Sequence, residues 1–336
     1  MKAYFDPIQN QHIPQSYLTR GAMRTPQEVP ARTPPLLAAL DGLGIEIAKP
    51  RDHGMDMVRR VHPIGYLRFL ESAHRRWPAD WGAEVMSNIY VRSRNPMQGI
   101  LAETAYYLAD GSCPIGAHTW EAAYWSAQTA LTAADDIIAG AALAYGLCRP
   151  PGHHARPDAA GGFCYLNNAA IAAEALRERY SRVAILDPDM HHGQGIQECF
   201  YHRNDVLYIS IHGDPTNFYP VVSGYESERG EGAGYGYNVN LPMPHGSPET
   251  IFFEKLDEAM AILRLFEPEV IVLPLGFDIY QADPQAKVAV SSEGFARMAR
   301  MVRAFGVPAL VVQEGGYDVD HLETNGRQFF SGLLGR

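Results

Sequence analysis

The chain is poor in cysteine: Cys113, Cys148, Cys164 and Cys199 are its only four in 336 residues, and no two have C-x-x-C spacing. A cysteine-built zinc site and a disulfide framework are therefore not suggested, and the expected setting is a reducing cytoplasm. No run of about eighteen apolar residues occurs, and the opening MKAYFDPIQNQHIP lacks the apolar core of a secretory leader, so a soluble protein without a membrane partner is expected. Positive charge is also short. The 28 Lys and Arg against 38 Asp and Glu leave a formal net charge of −10, which argues against nucleic acid as a partner and mildly favours cationic ligands. Neither an internal repeat nor a linker-like stretch divides the chain, so residues 1–336 read as a single domain large enough to bury a sizeable core.

Apolar runs alternate with helical spacing through most of the sequence. Strands are expected at Lys2 to Phe5, from Val183, at Val206 to His212, at Val270 to Asp278 and at Ala309 to Tyr317. Helical patterns cover Leu36 to Leu43, the stretch after His62-Pro63, Thr119 to about Ala144, Ala169 to Arg179, Gln194 to Tyr201, a segment opened by a Ser247 cap and Pro248, and a segment lined by Phe295, Met298, Val302 and Phe305. This order predicts an α/β fold with a mainly parallel sheet covered by helices on both faces. Residues up to Pro35 are Pro-rich and read as irregular, as does the Gly-rich stretch from Gly213 to Gly236. A long excursion from Trp77 to about Ala117 has poor periodicity, and such segments are usually functional or interfacial.

Chemistry gathers where the strands end. ILDPDMHHGQG, Ile185 to Gly195, concentrates Asp187, Asp189, His191 and His192 after an apolar run, and PPGHHA, LGFD and EGGY follow three other apolar or turn-forming stretches. Each alone is consistent with a polar turn. A parallel sheet would bring all four to its carboxyl edge, where ligand sites collect. Asp189, His191 and Asp278 would then supply two oxygens and one nitrogen to a metal with an open position, a donor set suited to zinc and also to iron(II) or cobalt(II). His153 or His154 could move a water proton, and Tyr317 on its Gly-Gly hinge could meet a developing oxyanion. Together these parts describe metal-assisted hydrolysis of an amide.

Taken in order, PPGHHA, GGFCYLNN, ILDPDMHHGQG, SIHGDP, LGFD and EGGY resemble the zinc-dependent deacetylase family that includes histone deacetylases, and most closely its bacterial acetylpolyamine amidohydrolases. The likeness runs from roughly Pro7 to Phe330. It implies the arginase-deacetylase fold, an eight-stranded parallel sheet between helices. It also implies zinc at Asp189, His191 and Asp278, His154 as general base and acid, His153 as an electrostatic partner oriented by Asp187, and Tyr317 on the oxyanion. A structural potassium ion is implied at Asp187, with main-chain oxygens of Asp189 and His191 and the positions of Ser210 and Ile211. Phe163 and Tyr219 match the aromatic tunnel walls, and Gly162 a carbonyl beside the substrate amide. Two departures stand out. Pro188 replaces the usual apolar residue, and Gln194 replaces the Asp or Asn that partners the second histidine.

The resemblance implies a small acetylated amine as substrate, with the Trp77 to Ala117 insertion narrowing the tunnel mouth and forming a homodimer interface. Glu103, and less surely Asp110, are candidates for a distal ammonium. Protein lysine deacetylation is the alternative, since it needs the same catalytic residues and a more open rim. A non-catalytic metal-binding module and an arginase-like enzyme are weaker readings. Gly276 stands where the latter would want a second Asp.

Overall fold

Successive residues of a strand face opposite sides of its sheet, and here both sides are apolar. Val183 and Ile185 pack into one buried hydrophobic cluster while Ala184 and Leu186 pack into another; Leu310 and Val312 against Ala309 and Val311 repeat the alternation. Strands of this kind need helices on both faces. The computed structural model, which describes residues 1–91 and 98–336, has that architecture.

In chain order the strands are β1 (Lys2–Tyr4), β2 (Tyr17–Thr19), β3 (Ala22–Arg24), β4 (Glu46–Ala48), β5 (Leu143–Gly146), β6 (Val183–Asp187), β7 (Val206–Gly213), β8 (Asn238–Met243), β9 (Ser247–Pro248), β10 (Val270–Leu275), β11 (Val288–Ala289) and β12 (Ala309–Gln313). The helices are α1 (Thr33–Asp41), α2 (Asp56–Val61), α3 (Ile64–Arg76), α4 (Ile100–Tyr107), α5 (Thr119–Ile138), α6 (Asn168–Leu176), α7 (Gln194–Phe200), α8 (Glu249–Phe266), α9 (Ser292–Ala304) and α10 (Val319–Leu334). Eight strands form one sheet, all neighbours parallel, in the order β4-β1-β5-β12-β10-β6-β7-β8. Helices α2 to α7 feed the first cluster, and α1, α8, α9 and α10 the second. Because β5, β12, β10 and β6 are consecutive in the sheet, the loops after them open side by side.

Several elements differ from the sequence expectation. The Ala-rich helix α5 ends at Ile138 rather than near Ala144. Gly140, at φ +101°, turns the chain into β5, whose short apolar run is indistinguishable from helix by spacing alone. Ser247 does not cap α8; its Oγ donates to the Pro244 carbonyl at 2.6 Å, and Ser247–Pro248 pairs with Val288–Ala289. The segment expected to be irregular carries the β2–β3 hairpin, and the excursion after Trp77 contains α4, with residues 92–97 of it lying outside the described residues. β4, β8 and α10 had no counterpart in the sequence reading.

A buried ionic cluster fastens the N-terminal segment under these loops. Glu28 Oε1 lies 3.0 Å from Arg32 and 2.9 Å from Arg149 Nε, and all three residues are buried. Arg32 also donates to the carbonyls of Gly316 (2.6 Å) and Glu314 (2.5 Å), and Arg149 to those of Gln9 and His12. Removing the carboxylate leaves two buried guanidinium groups without their counter-charge. Glu28→Ala should therefore lose about 3–5 kcal/mol in urea unfolding; a loss below about 1 kcal/mol, the scale of an exposed pair, would contradict this account.

Candidate active site

β6 ends at Asp187, paired with Ser210 of β7, and Pro188 follows the last laddered residue, so its missing N–H interrupts no ladder. The chain then turns, and side chains close the turn: the Asp189 N–H donates to Asp187 Oδ1 at 3.2 Å, and the His191 N–H to Asp189 Oδ1 at 2.9 Å. Across the β10 end, Asp278 Oδ1 accepts the Met190 N–H at 3.1 Å, and its Oδ2 lies 3.0 Å from His191 Nδ1. One donor atom from each of Asp189, His191 and Asp278 falls within 4.8 Å of the others, and all three residues are buried. Only glycine allows this approach. A Cβ on Gly276 would stand 2.0 Å from Asp189 Oδ2, and one on Gly315 would stand 2.5 Å from Asp278 Oδ2. The same contact leaves no room for an aspartate at position 276.

Burial, reinforced by the neighbouring Asp189 carboxylate, holds Asp278 up at about 7. Burial also opposes charging His191, yet its bonds to Asp189 and Asp278 outweigh that and lift it to about 9. Burial likewise opposes a charge on Asp189, but the neighbouring His153 and His191 outweigh it and hold that carboxyl well below the usual carboxylate range, so the strain of burying two carboxylates falls on Asp278. Two oxygens and one nitrogen suit a divalent metal with an open position.

The tandem histidines stand beside it with different partners. The loop after β5 is pinned to the end of β12, because Glu314 Oε2 accepts both the Gly152 and His153 N–H groups at 2.6 and 3.0 Å. His153 Nδ1 lies 3.1 Å from Asp187 Oδ2, which also accepts the Tyr208 hydroxyl at 3.0 Å. Burial disfavours a charge on His153, but Asp189 and Asp187 override it and raise the ring to about 10. His154 Nδ1 lies 2.6 Å from Gln194 Oε1, so glutamine reaches despite its additional methylene. Gln194 Nε2 donates to the Tyr219 hydroxyl at 3.1 Å, and that hydroxyl donates to Asp110 Oδ2 at 2.7 Å. The order of donors makes Gln194 Oε1 the acceptor, which places the His154 proton on Nδ1 and leaves Nε2 with its lone pair. Burial, then the neighbouring His153 and His191, push His154 well below the usual histidine range.

A cavity of about 360 Å³ opens on this cluster, with His154, His191, Gly162, Phe163, Phe218, Tyr219 and Tyr317 in its lining. Gly162 and Phe163 both have left-handed φ, +55° and +68°, and a Cβ on Gly162 would meet His154 Cδ2 at 2.3 Å. Phe163 meets the Tyr317 ring edge-on at 5.9 Å, while Phe218 stacks on His191 at 4.7 Å. The Tyr317 loop is fixed by Asp283, whose Oδ2 accepts the N–H groups of Tyr317 and Asp318 at 2.6 and 2.9 Å. Burial raises the Tyr317 hydroxyl well above its ordinary range, so it stays a donor.

The expected catalytic and metal-ligating residues therefore converge, and Gly162, Phe163 and Tyr219 line the cavity. Glu103 does not; it is held by Arg76 through a two-point ion pair of 2.5 and 2.7 Å and is absent from the lining. Asp110 sits behind the wall as the acceptor of Tyr219. Ser210 Oγ is 2.8 Å from His212 Nδ1, and Ile211 is core. His192, His212 and His245 bond to Ser223 Oγ, the Gly224 carbonyl and the Asp214 carbonyl, in keeping with packing and turn roles. Sequence reasoning missed Arg32, Tyr208, Phe218, Asp283 and Glu314; of these only Glu314, the first letter of EGGY, carried a local signal.

Known proteins resemble this chain over nearly its full length. The family model described as Histone deacetylase domain matches residues 26–333. The acetylpolyamine amidohydrolase of Burkholderia pseudomallei is 60% identical over 336 residues, covering 99% of this chain and 98% of that protein. Acetylpolyamine amidohydrolase 1 of Pseudomonas aeruginosa is 41% identical, with 96% of each covered. The crystal structure of acetylpolyamine aminohydrolase from Burkholderia pseudomallei superposes with a TM-score of 0.98 at 60% identity, covering 99% of this chain and 98% of that one.

Gly276→Ala should displace the Asp189 carboxylate and lower bound divalent metal, and Asp278→Ala should lower it likewise. Elemental analysis of purified protein checks this. Full metal occupancy in both variants would refute the ligand assignment.

Proposed function

Because the chain belongs to the histone deacetylase domain family and has its arginase-deacetylase fold, we propose that this enzyme releases acetate from N-acetylated polyamines and related small acetylated amines. The observation that carries the proposal is the meeting of a free His154 Nε2, a protonated Tyr317 hydroxyl and the Asp189, His191 and Asp278 donors on one aromatic-walled cavity. Relatives of near-equal length bear the name acetylpolyamine amidohydrolase.

Asp189, His191 and Asp278 would hold a zinc ion, or iron(II) or cobalt(II), and that ion would supply Lewis acidity toward the amide carbonyl and a water. His154 Nε2 takes the proton of the attacking water and returns it to the amine nitrogen as the C–N bond breaks. Gln194 holds the ring by Nδ1, and a neutral partner stabilises imidazolium less than a carboxylate would, which keeps the base available. His153, paired with Asp187, faces the developing negative charge with a positive one, and Tyr317 donates to the oxyanion. The Gly162 carbonyl receives the amide N–H, while Phe163 and Tyr219 flank the alkyl chain. We assign a structural potassium ion to Asp187, the main-chain oxygens of Asp189 and His191, Ser210 and Ile211.

The segment 77–117 is proposed as rim and homodimer interface of the single domain. Trp81, Ile89, Tyr90, Val91 and Leu101 all leave it exposed, as a face covered by a second copy would require. A cytoplasmic setting fits four unpaired cysteines.

Acetate release from N-acetylputrescine, N-acetylcadaverine and N-acetylspermidine should exceed release from an acetyl-lysine peptide at equal concentration. Preference for the peptide would replace this reading with lysine deacetylation. Tyr317→Phe should retain metal and lose about 10²- to 10³-fold in kcat, the scale of one oxyanion donor; unchanged turnover would remove Tyr317 from the mechanism.

A further inference from the structure

The cavity that serves the acetamide is bounded elsewhere by positive charge. Arg20 and Arg24 of the β2–β3 hairpin line it, and Lys287 Nζ lies 5.8 Å from the ring of Phe218, another lining residue. Among the described residues, no Asp or Glu lines the cavity, and none of these three cations forms an ion pair. Asp110, the acid just behind the wall, is already occupied by Tyr219, Ser112 and the Gly162 N–H.

The arginines stand on a fixed scaffold. Leu18 N–H donates to the Gly111 carbonyl at 2.8 Å, and Tyr17 packs edge-on against Phe163 at 5.3 Å. Arg20 and Gly21 form the two-residue hairpin loop with φ of +49° and +74°. That loop favours Asn or Gly in its first place, and arginine there carries a backbone cost that buys the hairpin nothing.

We propose that the mouth takes a further class of substrate: linear acetamides with a carboxylate at the far end, whose anion is received by Arg20 and Arg24. The inference rests on the deacetylase reading and uses the same chemistry. Water adds to the acetyl carbonyl, the C–N bond breaks, and acetate and a free ω-amino acid leave, with the proton on the new amine. Guanidinium pairs suit a carboxylate geometrically as well as electrostatically.

The test uses metal-loaded full-length protein with δ-acetamidovalerate and N-acetylputrescine, which share a four-methylene chain and differ in the sign of the end charge, and with uncharged N-butylacetamide. The wild type should hydrolyse δ-acetamidovalerate, and its kcat/KM relative to N-acetylputrescine should fall about tenfold or more in Arg20→Glu/Arg24→Glu. In the wild type the same ratio should fall as salt is raised, a readout that needs no variant. Hydrolysis of N-acetylputrescine and N-butylacetamide without δ-acetamidovalerate, or a ratio indifferent to both charge reversal and salt, overturns the inference and leaves the deacetylase reading standing. No turnover of any of the three overturns that reading, and the inference with it.

Discussion

Two buried carboxylates, Asp189 and Asp278, face one another across His191, and much of the surrounding structure follows from holding them there. Desolvated like charges repel strongly, so the fold supplies backbone N–H groups to each: Gly315 and His191 to Asp189, Met190 to Asp278. Those bonds require backbone at van der Waals distance from the carboxyl oxygens. Glycine at 276 and 315 is the price of that approach. With His191 the two carboxylates offer two oxygens and one nitrogen, a donor set that suits a divalent cation with a position left open for chemistry.

Outward from this pair each catalytic group is positioned by another buried polar group. Asp187, itself held by the Tyr208 hydroxyl, fixes His153, Gln194 fixes His154, and Asp283 fixes the backbone of Tyr317. Glu314 joins the His153 loop to the end of β12, and Arg32 reaches from the N-terminal segment to the carbonyls on either side of Gly315. Buried ionic groups are weak evidence for stability because desolvation opposes the Coulombic gain. Their effect here is geometric: the loops after four adjacent strands are held to one another as well as to the sheet.

The strand ends were legible in the sequence because apolar run and polar tip are adjacent along the chain. PPGHHA, DPDMHH, LGFD and EGGY each sit directly after or near their strand, and a parallel sheet had to bring them together. Partners far apart in sequence were not legible. Arg32 meets Gly316 across 284 positions, and nothing near Arg32 signals that contact. The β2–β3 hairpin was hidden by the flanking Pro14 and Pro26 and by its short strands, and β5 by the Ala-rich spacing that precedes it. Glu103 was read as a rim acid from its place in the insertion, but an arginine one helix away had the stronger claim on it.

If the facing carboxylates are a cation site, metal-free protein should gain stability from a single ion. Thermal unfolding of chelator-treated protein titrated with zinc tests this most directly. The account predicts a rising midpoint that saturates at one ion per chain, equivalent to about 2.7 kcal/mol once free ion exceeds Kd about a hundredfold, and no such rise in Asp278→Asn. An unchanged midpoint, or the same rise in the variant, would contradict it.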